Sequence, residues 1–446
     1  MDVVLCRPSS TGGDDAGESD AGTVDPAERT HALPFASPAA ALVEYILACG
    51  PACVISDTCP LRHHVSTVAA VASVLNVLRV PLYQVDAHNI VPVWAASDKR
   101  EVGARTLRPR INRVLQEYMV HFPIIRNVLG DSQKEKVTPG IDWDACVRHC
   151  SPDAAVPTVP WMVPGAGAAK AELQSFMDSR LKNYDGSRND PNLDVQSRMS
   201  PWVNYGHISF QRAAITVRAL KRHGTDVAAF IEEGVVRREL SDNFCWYTPD
   251  GYDNLSGAAG WARDSLELHR SDVREYIYTK EQFAMGETHD DLWNAAQIQL
   301  KDTGRMHGFL RMYWAKKVLE WTPDATTALE IGLYLNDRFA MDGNDPNGFV
   351  GVGWSVMGVH DMGWKEREVF GKIRFMNYAG CKRKFKVADF VAKYPPAAKN
   401  ASRFGISLPE PTKKGAAATK KEPAKASSNV KNAKPSTKSR LRKKLK

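Results

Sequence analysis

Trp314 and Trp321 lie seven residues apart near the middle of the chain. At about 3.6 residues per turn, this spacing puts both rings on one face of a helix, roughly 10 Å apart along its axis. That separation suits the stepwise passage of an electron between indole rings. Tryptophans at helical spacing are more often part of a packed core, however. The surrounding sequence must decide between the two interpretations.

Two helices joined by a tight break are predicted for residues 288–321. Thr288 is a suitable N-cap, and Asp290 and Asp291 place carboxylates in the first turn, where they complement the helix dipole. Apolar residues then recur at helical spacing up to Gly304, and a second helix carries both tryptophans. This helical pair is expected to position the candidate redox residues.

Length and composition limit the possible classes of protein. A chain of 446 residues exceeds what one ordinary core serves, so two domains with tails are expected. No apolar run reaches the roughly 20 residues of a membrane-spanning helix, so no membrane partner is predicted. The net charge of +8 is uneven, because residues 413–446 carry thirteen Lys and Arg against one Glu. Such a tail favours salt-sensitive attraction to DNA.

The eight cysteines do not form a paired CxxC framework. A reducing compartment is therefore expected. The tightest group, Cys146, His149 and Cys150, has residue types that bind metals, but its spacing matches no common zinc pattern and no second half follows. No metal site is predicted.

The pattern along the chain predicts an α/β region followed by a helical region. Two short apolar strands, 52–56 and 81–85, flank a helix at 64–80, which indicates a parallel βαβ unit. Later segments are helical in pattern, at 105–122, 169–181, 207–222, 226–240, 326–338 and 365–375. The predicted organisation is a disordered N-terminus (1–37), an α/β domain (38–156), an interdomain loop (157–168), a helical domain (169–400) and a basic disordered tail (401–446).

Five stretches of the helical region resemble the flavin-binding half of class II cyclobutane pyrimidine dimer photolyases. The first three contain GRMHGFLRMYWAKKVLEW, YLNDRFAMDGNDPNGFVGVGWSVMGVHD and GKIRFMNYAGCKRKF. The other two contain SRNDPNLDVQSRMSPWVNYGHIS and EEGVVRRELSDNF. A series of this kind in one order is highly specific to the family.

The resemblance implies a fold and an activity. The fold is a parallel, Rossmann-like α/β domain followed by an all-helical FAD-binding domain. The activity is light-driven DNA repair, in which reduced FAD donates an electron that splits a UV-induced cyclobutane pyrimidine dimer. Residues 56–64 and 85–97 resemble the end of the family's α/β domain, so its first strands are expected to be missing. This truncation argues against a second, antenna chromophore.

The resemblance also implies which residues bind FAD, in a loop that holds the phosphates and in a group beside the isoalloxazine ring. Without it, an S-x-x-S before a proline would be interpreted as a helix cap. The family usually has Leu and Tyr where this chain has Met199 and Trp202, and Arg where it has Met362. The matched residues are Tyr184, Ser197, Met199, Ser200, Arg311, Asn336, Asp342 and Asp361.

The lesion pocket and the electron path are implied in the same way. Glu233, Met312 and Trp354 match residues that line the lesion pocket, with Asn336 beside the flavin, whereas a further family tryptophan is Arg237 here. The resemblance assigns Trp314 and Trp321 to the reduction of oxidised flavin. Trp293 matches a third family tryptophan, and its place in the relay is left open.

Three functions are compatible with these residues. The first is the repair lyase, acting as a monomer on UV-damaged DNA with a flipped-out dimer. The second is a cryptochrome-like flavin photoreceptor, and the third is a DNA-binding relative that has lost repair activity. Glu233, Met312 and Trp354 favour repair, because a receptor needs no dimer pocket. The terminal SRLRKKLK suggests delivery to the nucleus, with an organelle as the alternative.

Overall fold

The computed structural model describes residues 37–123 and 142–404. Both predicted disordered ends fall almost wholly on residues outside this part. All described residues belong to one compact unit, so the predicted domain boundaries stay predictions. No helix in the described ranges is both long and apolar enough to cross a membrane.

A small α/β layer opens the described chain. It consists of α1 (Pro38–Cys49), β1 (Val54–Asp57), α2 (Arg62–Val77) and β2 (Leu82–Val85). The two strands pair in parallel with Val54 opposite Leu82, as the βαβ pattern predicts. Ile46, Val71 and Leu75 form the buried contact between α1 and α2. Within the described residues one face of the pair is uncovered, since Ile55 is 69% exposed.

Three helices connect this layer to the rest of the chain. They are α3 (Val93–Ala96), α4 (Ala104–Tyr118) and α5 (Trp143–Cys150). Helix α4 is amphipathic and buries Leu107 and Ile111 against the helical region. The α/β layer keeps its own small core, and Arg62 on α2 reaches the helical region by donating to the Pro249 carbonyl at 2.8 Å.

The helical region follows from residue 166 onward. Its helices are α6 (Ala166–Ser175), α7 (Tyr184–Ser187), α8 (Ser200–Asn204), α9 (Phe210–Arg218), α10 (Gly224–Ile231), α11 (Arg238–Trp246), α12 (Gly260–Leu268), α13 (Lys280–Met285), α14 (Asp291–Thr303), α15 (Gly308–Glu320), α16 (Ala325–Phe339), α17 (Pro346–Met357), α18 (Tyr378–Lys384), α19 (Val387–Val391) and α20 (Pro395–Ser402). Two π-helical segments, Phe176–Arg180 and Glu232–Arg237, interrupt the α-helical hydrogen bonding. The predicted helix 226–240 is therefore three consecutive segments.

The predicted N-cap of α14 is wrong by two residues. Asp290 caps the helix, because its Oδ1 accepts a hydrogen bond from the Trp293 N–H at 2.8 Å. Thr288 is fully buried, and its hydroxyl instead donates to Asn294 Oδ1 at 2.8 Å. Both residues are good N-caps, and tertiary contacts select between them.

The predicted helix at 365–375 is also wrong. This segment forms turns with one antiparallel bridge between Arg367 and Gly371. Side chains from the α12 region hold it, since Ser265 Oγ accepts from the Lys372 N–H at 2.7 Å and Asp272 Oδ2 accepts from the Val369 N–H at 2.8 Å. These hydrogen bonds replace the ones a helix would make.

Helix α17 was not predicted, although it lies at the centre of the region. Gly348, Gly351 and Gly353 lower its intrinsic helix propensity. Packing compensates, because α17 lies against α11, α15 and α16. A signal was present in the sequence: Asp345 is the N-cap and Pro346 occupies the first turn, a pairing typical of helix starts.

Candidate flavin and lesion site

A stack of three buried tryptophans joins α14 to α15. The rings of Trp293 and Trp314 are nearly parallel, with centroids 6.3 Å apart and an interplanar angle of 7°. The rings of Trp293 and Trp321 are edge to face, with centroids 6.0 Å apart. Trp293 therefore lies between the two tryptophans that share a helix face. Its role in electron transfer stays a prediction, and its ring contacts both of the others.

Hydrogen bonds fix the orientation of two of these rings. Trp293 Nε1 donates to the Trp314 carbonyl at 3.0 Å, and Trp314 Nε1 donates to Gln297 Oε1 at 2.9 Å. Trp293 is 0% exposed, so its ring is shielded from water throughout. The arrangement is buried and hydrogen-bonded, which suits electron transfer between neighbouring rings.

The aromatic chain continues beyond Trp321 through residues that sequence reasoning missed. Tyr278 and His289 contact the Trp321 ring at centroid distances of 5.8 and 4.8 Å. Tyr276 stacks on His289 at 3.8 Å and is partly exposed. A series of ring contacts thus runs from Trp314 outward to Tyr276.

His289 is poised to hydrogen-bond Tyr278. The Tyr278 Oη lies 2.6 Å from His289 Nδ1. Burial, together with the positive charge of Lys317, lowers the pKa of His289 to about 4. His289 is therefore neutral near pH 7, and the phenol can donate to it. Lys317 also lies 5.3 Å from the centre of the Trp321 ring.

The inner end of the tryptophan stack opens into a pocket between α15, α16 and α17. Its lining residues are Leu300, Met306, Arg311, Trp314, Ala315, Asn336, Asn347, Gly348, Gly351 and Val352. A Cβ added at Gly351 would meet no atom within 4 Å, whereas one at Gly348 would come within 2.6 Å of Asn336 Nδ2. Gly351 therefore faces open space, whereas Gly348 allows α17 to approach Asn336.

A charge pair and an amide form the polar wall of this pocket. Arg311 donates to Asp342 Oδ1 at 2.9 Å and to Asn336 Oδ1 at 3.2 Å. Burial acts to raise the pKa of Asp342, but the Arg311 guanidinium and hydrogen bonds from Arg311 and Ser200 hold it below its usual range. Asp342 is thus a fixed anion. The resemblance grouped these residues, and the structure brings them together.

The loop before α8 approaches the same wall. Ser200 begins α8 and hydrogen-bonds Asp342, while Ser197 Oγ lies 3.5 Å from the Met199 N–H. Met199 is buried, at 2% exposure. Arg198 has a positive φ of 61°, a conformation that costs energy for a residue with a side chain. The loop shape is therefore imposed by its surroundings.

Two buried nitrogens near this loop are without a hydrogen-bond partner among the described residues. They are Arg198 Nε and His307 Nε2. His307 caps α15, and a Cβ on the next residue, Gly308, would lie 3.9 Å from Gln196 Nε2 in the loop. The N-terminus of a helix and an arginine together suit a phosphate group. Sequence reasoning missed both side chains, because their proximity depends on the fold.

Tyr184 and Glu233 lie together at another edge of the region. Arg188 contacts both, with its NH2 3.5 Å from Glu233 Oε1 and its guanidinium carbon 5.8 Å from the centre of the Tyr184 ring. Asp226 accepts from the Asn183 and Asp185 N–H groups and so holds the short helix α7 in place. Burial, and then the Glu233 charge, raise the pKa of Tyr184 to about 12.

The other predicted lesion residues are carried by neighbouring helices. Met312 lies on α15 and Trp354 on α17, both partly buried, and these helices pack on each other. Glu233 belongs to the π-helical segment that runs directly into α11, and α11 also packs on α17. Arg237, which replaces a family tryptophan, pairs with Glu232 at 3.5 Å.

Asp361 follows α17 in a polar region that also contains Lys316. Asp361 Oδ1 accepts from the Met362 N–H at 2.9 Å, while its buried Oδ2 has no partner among the described residues. Lys316 is 2% exposed and donates to the Ser355 carbonyl at 3.2 Å. Burial lowers the pKa of Lys316 to about 8, against the attraction of Asp361.

No group of His, Cys, Asp or Glu side chains suited to hold a metal occurs in residues 37–123 and 142–404. Cys146 and Cys150 are both free thiols on α5. The polar side chains that line the pocket are Arg311, which is paired with Asp342, and the amides of Asn336 and Asn347. These types suit an organic anion better than a metal ion.

Solved structures define the class of fold. A class III photolyase from Agrobacterium tumefaciens aligns over 83% of this chain and 75% of its own, with a TM-score of 0.59 at 18% sequence identity. A cryptochrome from Synechocystis and an archaeal photolyase from Sulfolobus tokodaii, the latter with two FAD molecules, each have a TM-score of 0.54 at 14% identity. The chain has the photolyase/cryptochrome fold.

Sequence comparison narrows this class to one family. The chain is 50% identical to a deoxyribodipyrimidine photo-lyase of Potorous tridactylus over 347 residues, which span 64% of that protein. It is 47% identical to the Oryza sativa protein of the same name and 45% identical to the Arabidopsis thaliana one, over 69% and 71% of their lengths. No family model matches. The chain belongs to the deoxyribodipyrimidine photo-lyase family, as its motifs predicted.

Proposed function

We propose that this protein is a class II photolyase that splits cyclobutane pyrimidine dimers in UV-damaged DNA. The observation that carries the proposal is the pocket at the inner end of the tryptophan stack. There Trp314 lines the same space as Arg311 and Asn336. A stack of tryptophans and a pocket with polar lining residues meet at Trp314, as a light-driven flavoenzyme requires.

The residues of the pocket fit FAD. Gly351 leaves open space on the pocket face of α17, where the ring system would lie with Arg311, Asp342 and Asn336 along its polar edge. The unpartnered Arg198 Nε and His307 Nε2 would serve the phosphates, next to Ser197. When bound and reduced, FAD supplies the electron that enters the dimer after absorption of light. The protein supplies orientation, a fixed charge pair and exclusion of water.

The dimer would bind beside this pocket. Glu233 is 42% exposed as a side chain and so can accept hydrogen bonds from a thymine base. Trp354 offers a flat face for stacking, and Met312 a polarizable contact. A dimer has to leave the duplex to reach such a pocket. We propose flipping of the dimer by a monomeric enzyme.

Class II membership rests on the motifs of the helical region. Two parallel strands are described in the α/β layer, and residues 1–36 lie outside the described ranges, so the predicted loss of the first strands stays a prediction. The same holds for the absence of an antenna chromophore. Nuclear delivery is proposed from the basic terminus, and a reporter fused to residues 413–446 that stays out of nuclei would contradict it.

The cryptochrome-like receptor is the second candidate, because a cryptochrome shares the fold and a receptor would also use the tryptophan stack. The deciding experiment is repair of a dimer-containing oligonucleotide by protein that carries bound FAD, in blue light and in the dark. Light-dependent restoration of the thymines supports the lyase. Bound flavin that photoreduces without any repair supports the receptor, and protein that binds damaged DNA without flavin supports the relative that lost catalysis.

A further inference from the structure

His88 connects the α/β layer to the helices that form the pocket. It follows β2, and its Nε2 lies 3.4 Å from Asp242 Oδ2 on α11 and 3.7 Å from Asp345 Oδ2 at the start of α17. Arg238 on α11 donates to the His88 carbonyl at 2.6 Å and so fixes its backbone. One imidazole thus faces two carboxylates from two different helices.

Asp345 transmits this contact to the pocket. Its Oδ1 accepts from both the backbone N–H and the side-chain amide of Asn347, at 2.8 and 2.7 Å. Asn347 Oδ1 in turn accepts from Ser241 Oγ at 3.1 Å. Asn347 lines the pocket beside Gly348. Its amide is therefore oriented from both ends by residues that lie outside the pocket.

The two carboxylates need a cation at this position. Asp242 is 2% and Asp345 7% exposed, and buried carboxylates are costly unless they are paired. His88 Nε2 and Asp242 Oδ2 are within ion-pair distance but are not aligned as a hydrogen bond. Attraction of charge, rather than one directed bond, therefore holds the group together.

Two other titratable groups lie near His88, and one of them, Glu239, also changes charge between pH 6 and 9. The contribution of His88 to any pH dependence is therefore the part that His88→Gln removes. Burial raises the pKa of Glu239 to about 8 and that of the Cys59 thiol to about 11, so both are mainly neutral at pH 7. Burial opposes charge on His88 itself, but Asp242 and Asp345 outweigh burial and the repulsion of Arg238, and its pKa lies above its usual range. The charged contact is complete at low pH and is lost as the pH rises through that raised pKa.

We propose that His88 is a positioning residue of the flavin pocket, whose imidazolium holds Asp345 and thereby fixes the amide of Asn347 against the bound ring. The inference rests on the proposed function, in that flavin must occupy the pocket. It adds a contribution of the α/β layer to the flavin site. It also predicts that the rate of FAD release depends on pH.

The first test measures release of FAD from the holoprotein between pH 6 and 9, by the rise in free-flavin fluorescence. Release from the wild type should accelerate as the pH rises, by about tenfold for the loss of one buried ionic contact. His88→Gln should release flavin rapidly at every pH. His64→Gln, a change at an exposed histidine on α2, should keep the wild-type profile.

A double-mutant cycle tests whether His88 acts through Asn347. His88→Gln and Asn347→Ala should not be additive, because the second change removes the amide that the first one frees. Additive effects on flavin release, or a wild-type pH profile in His88→Gln, would overturn the proposal. A merely structural role of His88 would lower thermal stability but would not change the pH profile.

A second measurement separates this inference from the proposed function. Amide hydrogen exchange of residues 345–352 should be faster at pH 9 than at pH 6 in the wild type, beyond the intrinsic effect of pH, and fast at both in His88→Gln. This comparison needs no flavin, so protein that carries none would refute the proposed function and still test His88. If His88→Gln does not fold, the wild-type pH difference decides, and its absence would overturn the inference.

Discussion

The two sides of helix α15 differ in whether their buried polar atoms have hydrogen-bond partners. On the side of α14, Trp293 and Trp314 are buried and hydrogen-bonded. On the pocket side and beyond it, buried polar atoms such as His307 Nε2, Ser355 Oγ and Asp361 Oδ2 have no partner in the described residues. The indole N–H groups of Trp293 and Trp314 are satisfied by the protein alone, whereas these three atoms around the pocket are not. Trp314 belongs to both sides, because it is part of the tryptophan stack and also lines the pocket.

The largest expected effect comes from breaking the relay at its centre. Trp293→Phe should abolish photoreduction of oxidised flavin, because Trp293 is the ring that contacts both Trp314 and Trp321. Repair by chemically reduced enzyme should persist, since it needs no external electron. Flavin absorbance under illumination with a reductant measures the first property, and dimer repair the second.

The matched control for this change is Trp94→Phe. Trp94 is 47% exposed and contacts Trp246 rather than the relay, so photoreduction should stay normal. Normal photoreduction in Trp293→Phe would show that electrons take another path. Loss of repair as well as photoreduction, at full flavin content, would mean that the ring serves the pocket.

A change on the pocket side should separate substrate handling from flavin binding. Glu233→Ala should lower repair per bound flavin by one to two decades, since a charged hydrogen-bond partner contributes about 1.5–3 kcal/mol. FAD content should change little, because other residues form the flavin pocket. Dimer repair at matched light dose and saturating DNA, divided by flavin absorbance, is the measurement.

The exposed Glu267 on α12, at 73% side-chain exposure, provides a control as Glu267→Ala. Its repair per flavin should equal that of the wild type. If Glu233→Ala also repairs normally, Glu233 does not contact the dimer. Flavin loss in proportion to the lost repair would instead assign Glu233 a structural role.

Both sides of α15 contain a histidine that resists protonation. Burial is the main cause that lowers the pKa of His289 and of His307 to about 4. The unfolded chain binds these protons below about pH 6.5, so the free energy of unfolding should fall as the pH drops from 6.5 towards 4, by up to about 2 kcal/mol per histidine at pH 5. Urea unfolding at pH 7 and pH 5 measures this loss.

The variant His307→Asn should reduce that loss of stability, because asparagine can still cap α15 but does not titrate. Addition of FAD should reduce the pH dependence only if His307 Nε2 contacts the cofactor. An unchanged difference between pH 7 and pH 5 in His307→Asn would show that His307 is protonated in the folded protein.

The smallest effect on either side is expected from deletion of residues 413–446, which lie outside the described part. Affinity for undamaged DNA should fall and its dependence on salt should flatten, since fewer phosphates are neutralised. Photoreduction and repair per flavin at saturating DNA should not change. A salt titration of DNA binding, with and without the tail, is the measurement, and an unchanged slope would exclude the tail from DNA binding.

The resemblance predicted individual residues better than their arrangement. It grouped Arg311, Asn336 and Asp342, and the structure places them in hydrogen-bond contact. The place of Trp293 could not be predicted, because it depends on how α14 packs on α15. Tyr278 and His289 were missed for the same reason, since they meet Trp321 only in the folded chain.

Errors in the secondary structure have local physical causes. The spacing of residues 365–375 suits a helix, but hydrogen bonds to Ser265 and Asp272 favour turns. Helix α17 has three glycines that argue against a helix, yet one of them, Gly348, allows α17 to pack closely on Asn336 of α16. Propensity is outweighed by packing at the positions where the pocket forms.

The π-helical segment Glu232–Arg237 sets the direction in which Glu233 points relative to α11. A π-helical turn contains one more residue than an α-helical turn. A Cβ on Gly234 would come within 1.7 Å of the Phe210 ring, so the packing of this turn requires glycine at position 234. Loss of one residue here would restore an α-helix and rotate the preceding side chains by about 100° relative to α11. Glu233 would then point elsewhere while α11 kept its place. Insertion or deletion of one residue in this turn could therefore change the direction of the Glu233 carboxylate during evolution while α11 stayed unchanged.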